Sequence, residues 1–98
     1  ALNRVFGSHI SQLAVSSTKP VHGHALGAGG ALELAIAIMA LREQVAPPNL
    51  NVDEAAADCP VSLVLGAARP MPIGAVLSNS FAFGGINASL VVAPARPL

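Results

Sequence analysis

A single cysteine, Cys59, and only ten charged side chains, five basic and five acidic, occur in this 98-residue chain. One cysteine cannot close an internal disulfide, and no secretory signal pattern opens the sequence, so a reducing, cytoplasmic setting is expected. The formal charge is zero and the few basic residues form no cluster, which excludes a phosphate-neutralising stripe and, with it, nucleic-acid binding. A long hydrophobic run is missing too. The most apolar stretch, residues 25–41, is too short and too rich in glycine and alanine for a membrane span, and it contains Glu33. A carboxylate there would cost about 2.5–3.5 kcal/mol at the bilayer centre. An initiator methionine is also lacking, and residues 1–6 read as the tail of a helix ended by Gly7, so the chain is expected to be a truncated piece of a longer one.

What is abundant is apolar surface. Hydrophobic residues make up 53% of the chain and mean hydropathy is +0.63, more than so small a body can hide within itself. Some of that surface is expected to face a neighbour, either the rest of a longer chain or a second subunit.

Along the chain, residues 13–17 are a short apolar run that predicts a buried strand, followed by a turn at Lys19 and Pro20. A glycine-rich segment, residues 21–30, feeds into residues 31–44, whose alanine, leucine and methionine content predicts a helix. That helix is apolar nearly all round and is expected to be buried on most sides. Pro47 and Pro48 stop it, a polar connector covers residues 49–60, and residues 61–65 predict a short strand. After a break at residues 69–72, residues 75–80 and 87–93 read as strands joined through the loop Phe81-Ala82-Phe83-Gly84-Gly85-Ile86. The pattern is an α/β fragment without internal repeats.

His22 and His24 flank Gly23 in the turn before the helix. The positive end of a helix favours a neutral imidazole, and a neutral ring can donate a hydrogen bond to an oxygen gaining negative charge. Lys19 would act in the same direction. Glu33, an acid in an apolar helix, needs a partner if buried, and the turn holding Lys19 is the nearest candidate in sequence. The structural alternative is that such a histidine caps or packs. A zinc site is disfavoured because Cys59 and His9 lack ligand spacing to the pair, and Cys59 reads as structural. The glycines do not bind a dinucleotide, since Leu32 stands where G-x-G-x-x-G needs its last glycine, and no G-K-[ST] follows them. Phe83 with Gly84 and Gly85 combines a bulky apolar ring with a mobile backbone, the requirement for a gate over an acyl pocket.

Residues 16–31, S-S-T-K-P-V-H-G-H-A-L-G-A-G-G-A, resemble the S-x-K-x-x-x-G-H-x-x-G-A-x-G signature of β-ketoacyl-acyl-carrier-protein synthases, condensing enzymes of the thiolase superfamily. Residues 41–51, L-R-E-Q-V-A-P-P-N-L-N, resemble the segment after that family's helix, and residues 78–87, S-N-S-F-A-F-G-G-I-N, resemble its N-S-F-G-F-G-G-T-N loop. Three motifs in order, over residues 4–92, imply that residues 1–98 are the C-terminal portion of a thiolase-like fold: strand, glycine-rich turn, buried helix, short strand and closing antiparallel hairpin.

The resemblance implies decarboxylative condensation of a malonyl thioester with an acyl thioester in fatty-acid or polyketide synthesis. Its substrates ride on the phosphopantetheine of acyl carrier protein, with no other cofactor and no metal. It further implies a homodimer or pseudo-dimer. By the same resemblance His24 is the second active-site histidine, Lys19 its neighbouring lysine and Glu33 the buried glutamate of that network. The Phe83 N–H is implied as one oxyanion-hole donor, and the Phe83 ring with Gly84 and Gly85 forms the gate. The family's nucleophilic cysteine and first histidine fall outside these motifs, and Cys59 does not match the former, so the segment alone is expected to be inactive. Three departures stand out. Ala82 replaces a glycine, at about 1 kcal/mol or more if its φ is positive; Ile86 replaces a threonine, and His22 replaces a threonine beside His24. A non-condensing subunit resembling a chain-length factor is the alternative, which retention of Lys19 and His24 disfavours; a packing module or remnant is a third.

Overall fold

The computed structural model describes residues 1–95. They divide into two compact units, the first formed by Ala1–Gly23 and Ala46–Arg69, the second by His24–Val45 and the segment from Pro70 onward.

In the first unit, α1 (Leu2–Phe6) closes at Gly7 as the sequence predicts, with φ 51° and ψ −125°, a positive φ outside the left-handed helical basin. A 3-10 turn, Gly7–Gln12, follows, and a one-turn helix, α2 (Lys19–His22), occupies the predicted turn. The strands predicted over residues 13–17 and 61–65 do not form. In their place stand two isolated parallel bridges, Val15 with Leu63 and Asn49 with Leu65. The segment around Val64 is thus paired on both sides, and Val64 is fully buried. The Asn49 side chain ties the bridged segments together, sharing Val15 O and Val64 O with the backbone N–H groups of Val64 and Asn49. Its amide donates to Val15 O at 2.9 Å and to Val64 O at 3.0 Å, and its oxygen accepts the Ser17 N–H at 2.8 Å.

In the second unit, α3 (Gly29–Glu43) begins two residues before the predicted start. Glycine has poor helix propensity, but Gly29 is buried and leaves room for neighbours at the first turn. Gln44 ends the helix in the left-handed conformation, φ 56°, ahead of the proline pair. Its side chain substitutes for a backbone strand partner, donating to Ile73 O at 3.0 Å while accepting the Ile73 N–H at 2.7 Å. The two-residue strands Val45–Ala46 (β1) and Arg69–Pro70 (β2), each with one residue in either unit, pair. Val76–Phe81 (β3) and Asn87–Val92 (β4) form the predicted antiparallel hairpin, with Val76 opposite Val92 and Phe81 opposite Asn87.

α3 packs on β3, but it is not buried on most sides. Only Gly29 and Leu41 on it are buried, and Leu32, Ile38 and Met39 stay exposed. A helix apolar all round can place one face on one neighbour, and β3 covers a single face. Leu41, Ala46 and Val64 are the only buried hydrophobic residues among those described, so most of the apolar surface anticipated from composition remains open.

Candidate active site

His24 opens the second unit. The chain then makes one 3-10 turn, Leu26–Ala28, and enters α3 at Gly29. Leu26 has φ 48°, a conformation a bulky L-residue rarely adopts, and its side chain is 78% exposed. That backbone twist aims the Leu26 N–H at Nδ1 of His24, 3.1 Å away. A ring nitrogen that accepts a hydrogen bond carries no hydrogen, so this geometry puts the ring hydrogen on Nε2. His24 is exposed, and a backbone amide engages its Nδ1. The first turn of α3 is beside it: a Cβ built on Gly29 would lie 3.9 Å from His24 Nδ1. The positive end of the α3 dipole thus borders the imidazole.

The next residue, Gly30, is as close to Ser80, where a built Cβ would lie 3.5 Å from the hydroxyl oxygen. Ser80 is the penultimate residue of β3, so the loop between β3 and β4 springs from the same end of α3 that carries His24. The loop is closed by the Ala82 N–H donating to Ile86 O at 2.9 Å. Gly84 and Gly85 have φ 83° and 80°, which explains the glycine pair. The Phe83 ring is fully exposed. Ala82 does not have positive φ: among the described non-glycine residues only Leu26, Gln44 and Asn51 do. The strain conditionally expected for alanine at this position is absent. Glu33 lies in the second turn of α3 and is half-buried; no described charged residue is fully buried.

Lys19 belongs to the first unit, whereas His24, Glu33, Phe83, Gly84 and Gly85 belong to the second. Lys19 is half-buried and starts α2, whose single turn is closed by the Val21 N–H to Thr18 O at 2.9 Å and the Gly23 N–H to Lys19 O at 2.7 Å. His22, at the end of that turn, has Nε2 2.9 Å from Thr18 Oγ1 and Nδ1 2.8 Å from Gly23 O. A carbonyl oxygen only accepts, so Nδ1 of His22 carries a hydrogen. The two histidines on either side of Gly23 hold their protons on different nitrogens when neutral. Both have Nδ1 engaged with backbone groups, and no cluster of three metal-ligating side chains occurs among the described residues. Cys59 is free and half-buried, in a turn closed by its own N–H to Ala56 O at 2.9 Å.

Three participants escaped sequence reasoning. The Leu26 N–H is a backbone group and leaves no side-chain signature, although a non-glycine residue between His24 and Gly27 gave no sign of positive φ. Ser80 reads as one more small residue in a strand. Asn49 reads as a turn residue after two prolines, and only the approach of Val15 and Val64 shows its side chain acting as a bridge.

Residues 1–53 match the family model described as the β-ketoacyl synthase C-terminal domain. A 3-oxoacyl-[acyl-carrier-protein] synthase 2 of Coxiella burnetii is 48% identical over 92 residues, which are 94% of this chain and 22% of that protein. Nodulation protein E of Rhizobium sp. strain N33 is 43% identical over 90 residues, 92% of this chain and 22% of that one. The crystal structure of a β-ketoacyl synthase from Burkholderia phymatum STM815 superposes with a TM-score of 0.80 at 41% identity, covering 86% of this chain and 21% of that one. The chain therefore spans about a fifth of the length of the curated relatives it matches.

Proposed function

On the premise that this chain belongs to the β-ketoacyl synthase family, with the mixed helix-and-strand, thiolase-like fold of its solved relative, we propose that it supplies the C-terminal part of a condensing enzyme. The reaction is decarboxylative Claisen condensation. A malonyl thioester loses carbon dioxide, and the carbanion left behind attacks the carbonyl carbon of an acyl group held as a thioester on a cysteine. The C–S bond breaks, the thiolate leaves, and a β-ketoacyl thioester is released.

The Nε2–H of His24 donates to the malonyl thioester oxygen as the enolate forms, a donor aimed at charge that exists only in the transition state. The observation that carries this reading is the Leu26 N–H on Nδ1, which places the ring hydrogen on Nε2. Glu33, in the same unit, balances charge around that donor, and Lys19 is a site residue by the resemblance of residues 16–31 to the family signature. The Phe83 N–H serves the oxyanion of the acyl-transfer step, and its exposed ring on the Gly84-Gly85 hinge gates the acyl chain. Malonyl and acyl groups arrive on acyl carrier protein, whose name forms part of the relatives' own, and the working enzyme is a homodimer or pseudo-dimer, as the family resemblance implies. No helix among the described residues is long and apolar enough to cross a membrane.

The nucleophilic cysteine and first histidine are not supplied by these residues, so the test uses a full-length synthase in which residues 1–95 replace the matching region. Carrier-bound malonyl decarboxylation is expected, and His24→Ala is expected to lower it by roughly 10²-fold or more. Transplanted enzyme that folds yet neither decarboxylates nor condenses would assign the segment to a non-condensing partner subunit.

A further inference from the structure

His22 stands out because its imidazole is used at both nitrogens on the turn that carries Lys19. Nε2 meets Thr18 Oγ1 at 2.9 Å, on the residue preceding Lys19, and Nδ1 meets Gly23 O at 2.8 Å, at the far end of the turn. The carbonyl fixes the hydrogen on Nδ1, which leaves Nε2 of the neutral ring to accept the Thr18 hydroxyl hydrogen. One rigid ring therefore spans α2 from its first flanking residue to its last. The turn needs such a brace. It is four residues long, too short to be stable by its own hydrogen bonds. Gly23 has φ 76° and ψ −179°, a region open essentially to glycine alone, so its carbonyl direction is not set by ordinary backbone preference. On the other flank, Asn49 Oδ1 holds the Ser17 N–H at 2.8 Å, two residues before Lys19.

We propose that His22 is a positioning residue for Lys19: its Nδ1–H imidazole, strung between the Thr18 hydroxyl and the Gly23 carbonyl, holds the one-turn helix that aims the lysine side chain. The proposal rests on the reading of Lys19 as a site residue. A threonine at position 22 has one polar atom and could not reach both groups, so this brace is a property of the histidine.

The test uses the full-length synthase carrying residues 1–95, with malonyl-carrier protein as substrate. His22→Ala is expected to lower kcat for decarboxylation roughly three- to tenfold, the effect of losing one or two ordinary hydrogen bonds, with KM unchanged. His22→Asn places an amide N–H where Nδ1–H was and is expected to recover most of the loss, whereas His22→Gln, which mimics Nε2, recovers less. In a Lys19→Ala background His22→Ala is expected to add nothing. Equal losses in both backgrounds, a fully active His22→Ala enzyme, or His22→Gln matching His22→Asn would overturn the proposal. Lys19→Ala at full activity would instead remove the role of Lys19 itself, which separates the two failures. If His22→Ala does not fold, the Asn and Gln variants decide, together with ¹⁵N NMR of the unmutated protein. There the His22 ring is expected as the Nδ1–H tautomer, and Nε2–H would sink the idea.

Discussion

Leu26 gives up a favourable backbone conformation to hold His24: its N–H reaches Nδ1 at 3.1 Å from a residue whose φ is 48°. A left-handed L-residue costs about 1–2 kcal/mol, and the exposed leucine side chain gains little within the chain to offset it. Backbone strain of this kind persists where neighbouring structure fixes it, here a glycine in a glycine-only conformation at position 23 and α3 starting at Gly29.

Removing the imaginary benefit of a side chain at that site gives the first prediction. Leu26→Gly relieves the strain and is expected to stabilise the protein by about 1 kcal/mol in urea unfolding, while Leu26→Ala keeps the strain and is expected to give no gain. Leu26→Gly and Leu26→Ala both less stable than the unmutated protein would show that the leucine side chain, not the backbone, matters.

The tautomer of His24 is open to direct measurement. Long-range ¹H–¹⁵N correlation is expected to show the Nε2–H tautomer for the uncharged ring, with Nδ1 bare. In the transplanted enzyme His24→Ala is expected to lower malonyl decarboxylation by roughly 10²-fold or more, the usual loss for one preorganised donor. His24→Gln, which keeps an N–H near Nε2, is expected to retain more activity than His24→Ala, and the reverse order would argue against a donor role.

Asn49 acts through both ends of its amide, so aspartate is the worse replacement despite its shape. Asn49→Ala is expected to cost about 1–2 kcal/mol. Asn49→Asp turns two donated bonds, to Val15 O and Val64 O, into contacts between a carboxylate and two carbonyls, and is expected to cost more than alanine. Urea unfolding midpoints of the two variants check the order.

The hairpin loop separates backbone cost from crowding. A Cβ on Gly84 or Gly85 would meet nothing within 4 Å, so Gly84→Ala and Gly85→Ala are each expected to cost about 1–2 kcal/mol from positive φ alone. Ala82→Gly has no such strain to relieve and is expected to lose about 0.4–1 kcal/mol through the more flexible unfolded chain. Thermal unfolding that ranked Ala82→Gly above the unmutated protein would contradict the geometry.

Local chemistry determined much of this protein in advance. The helix of residues 29–43, the positive φ at Gly7, the hairpin around Gly84 and Gly85 and the family membership were all legible, because they depend on propensity, on glycine and on motifs contiguous in sequence. The strands predicted around Val15 and Val64 were not decided at that level. Whether an apolar run becomes a ladder depends on partners distant in sequence, and here these runs meet only in single bridges that an asparagine amide ties together. The protonation pattern of His22 and His24 was equally out of reach. Both are histidines beside the same glycine, and only the groups brought against each ring, a carbonyl for one and an amide N–H for the other, set which nitrogen holds the hydrogen.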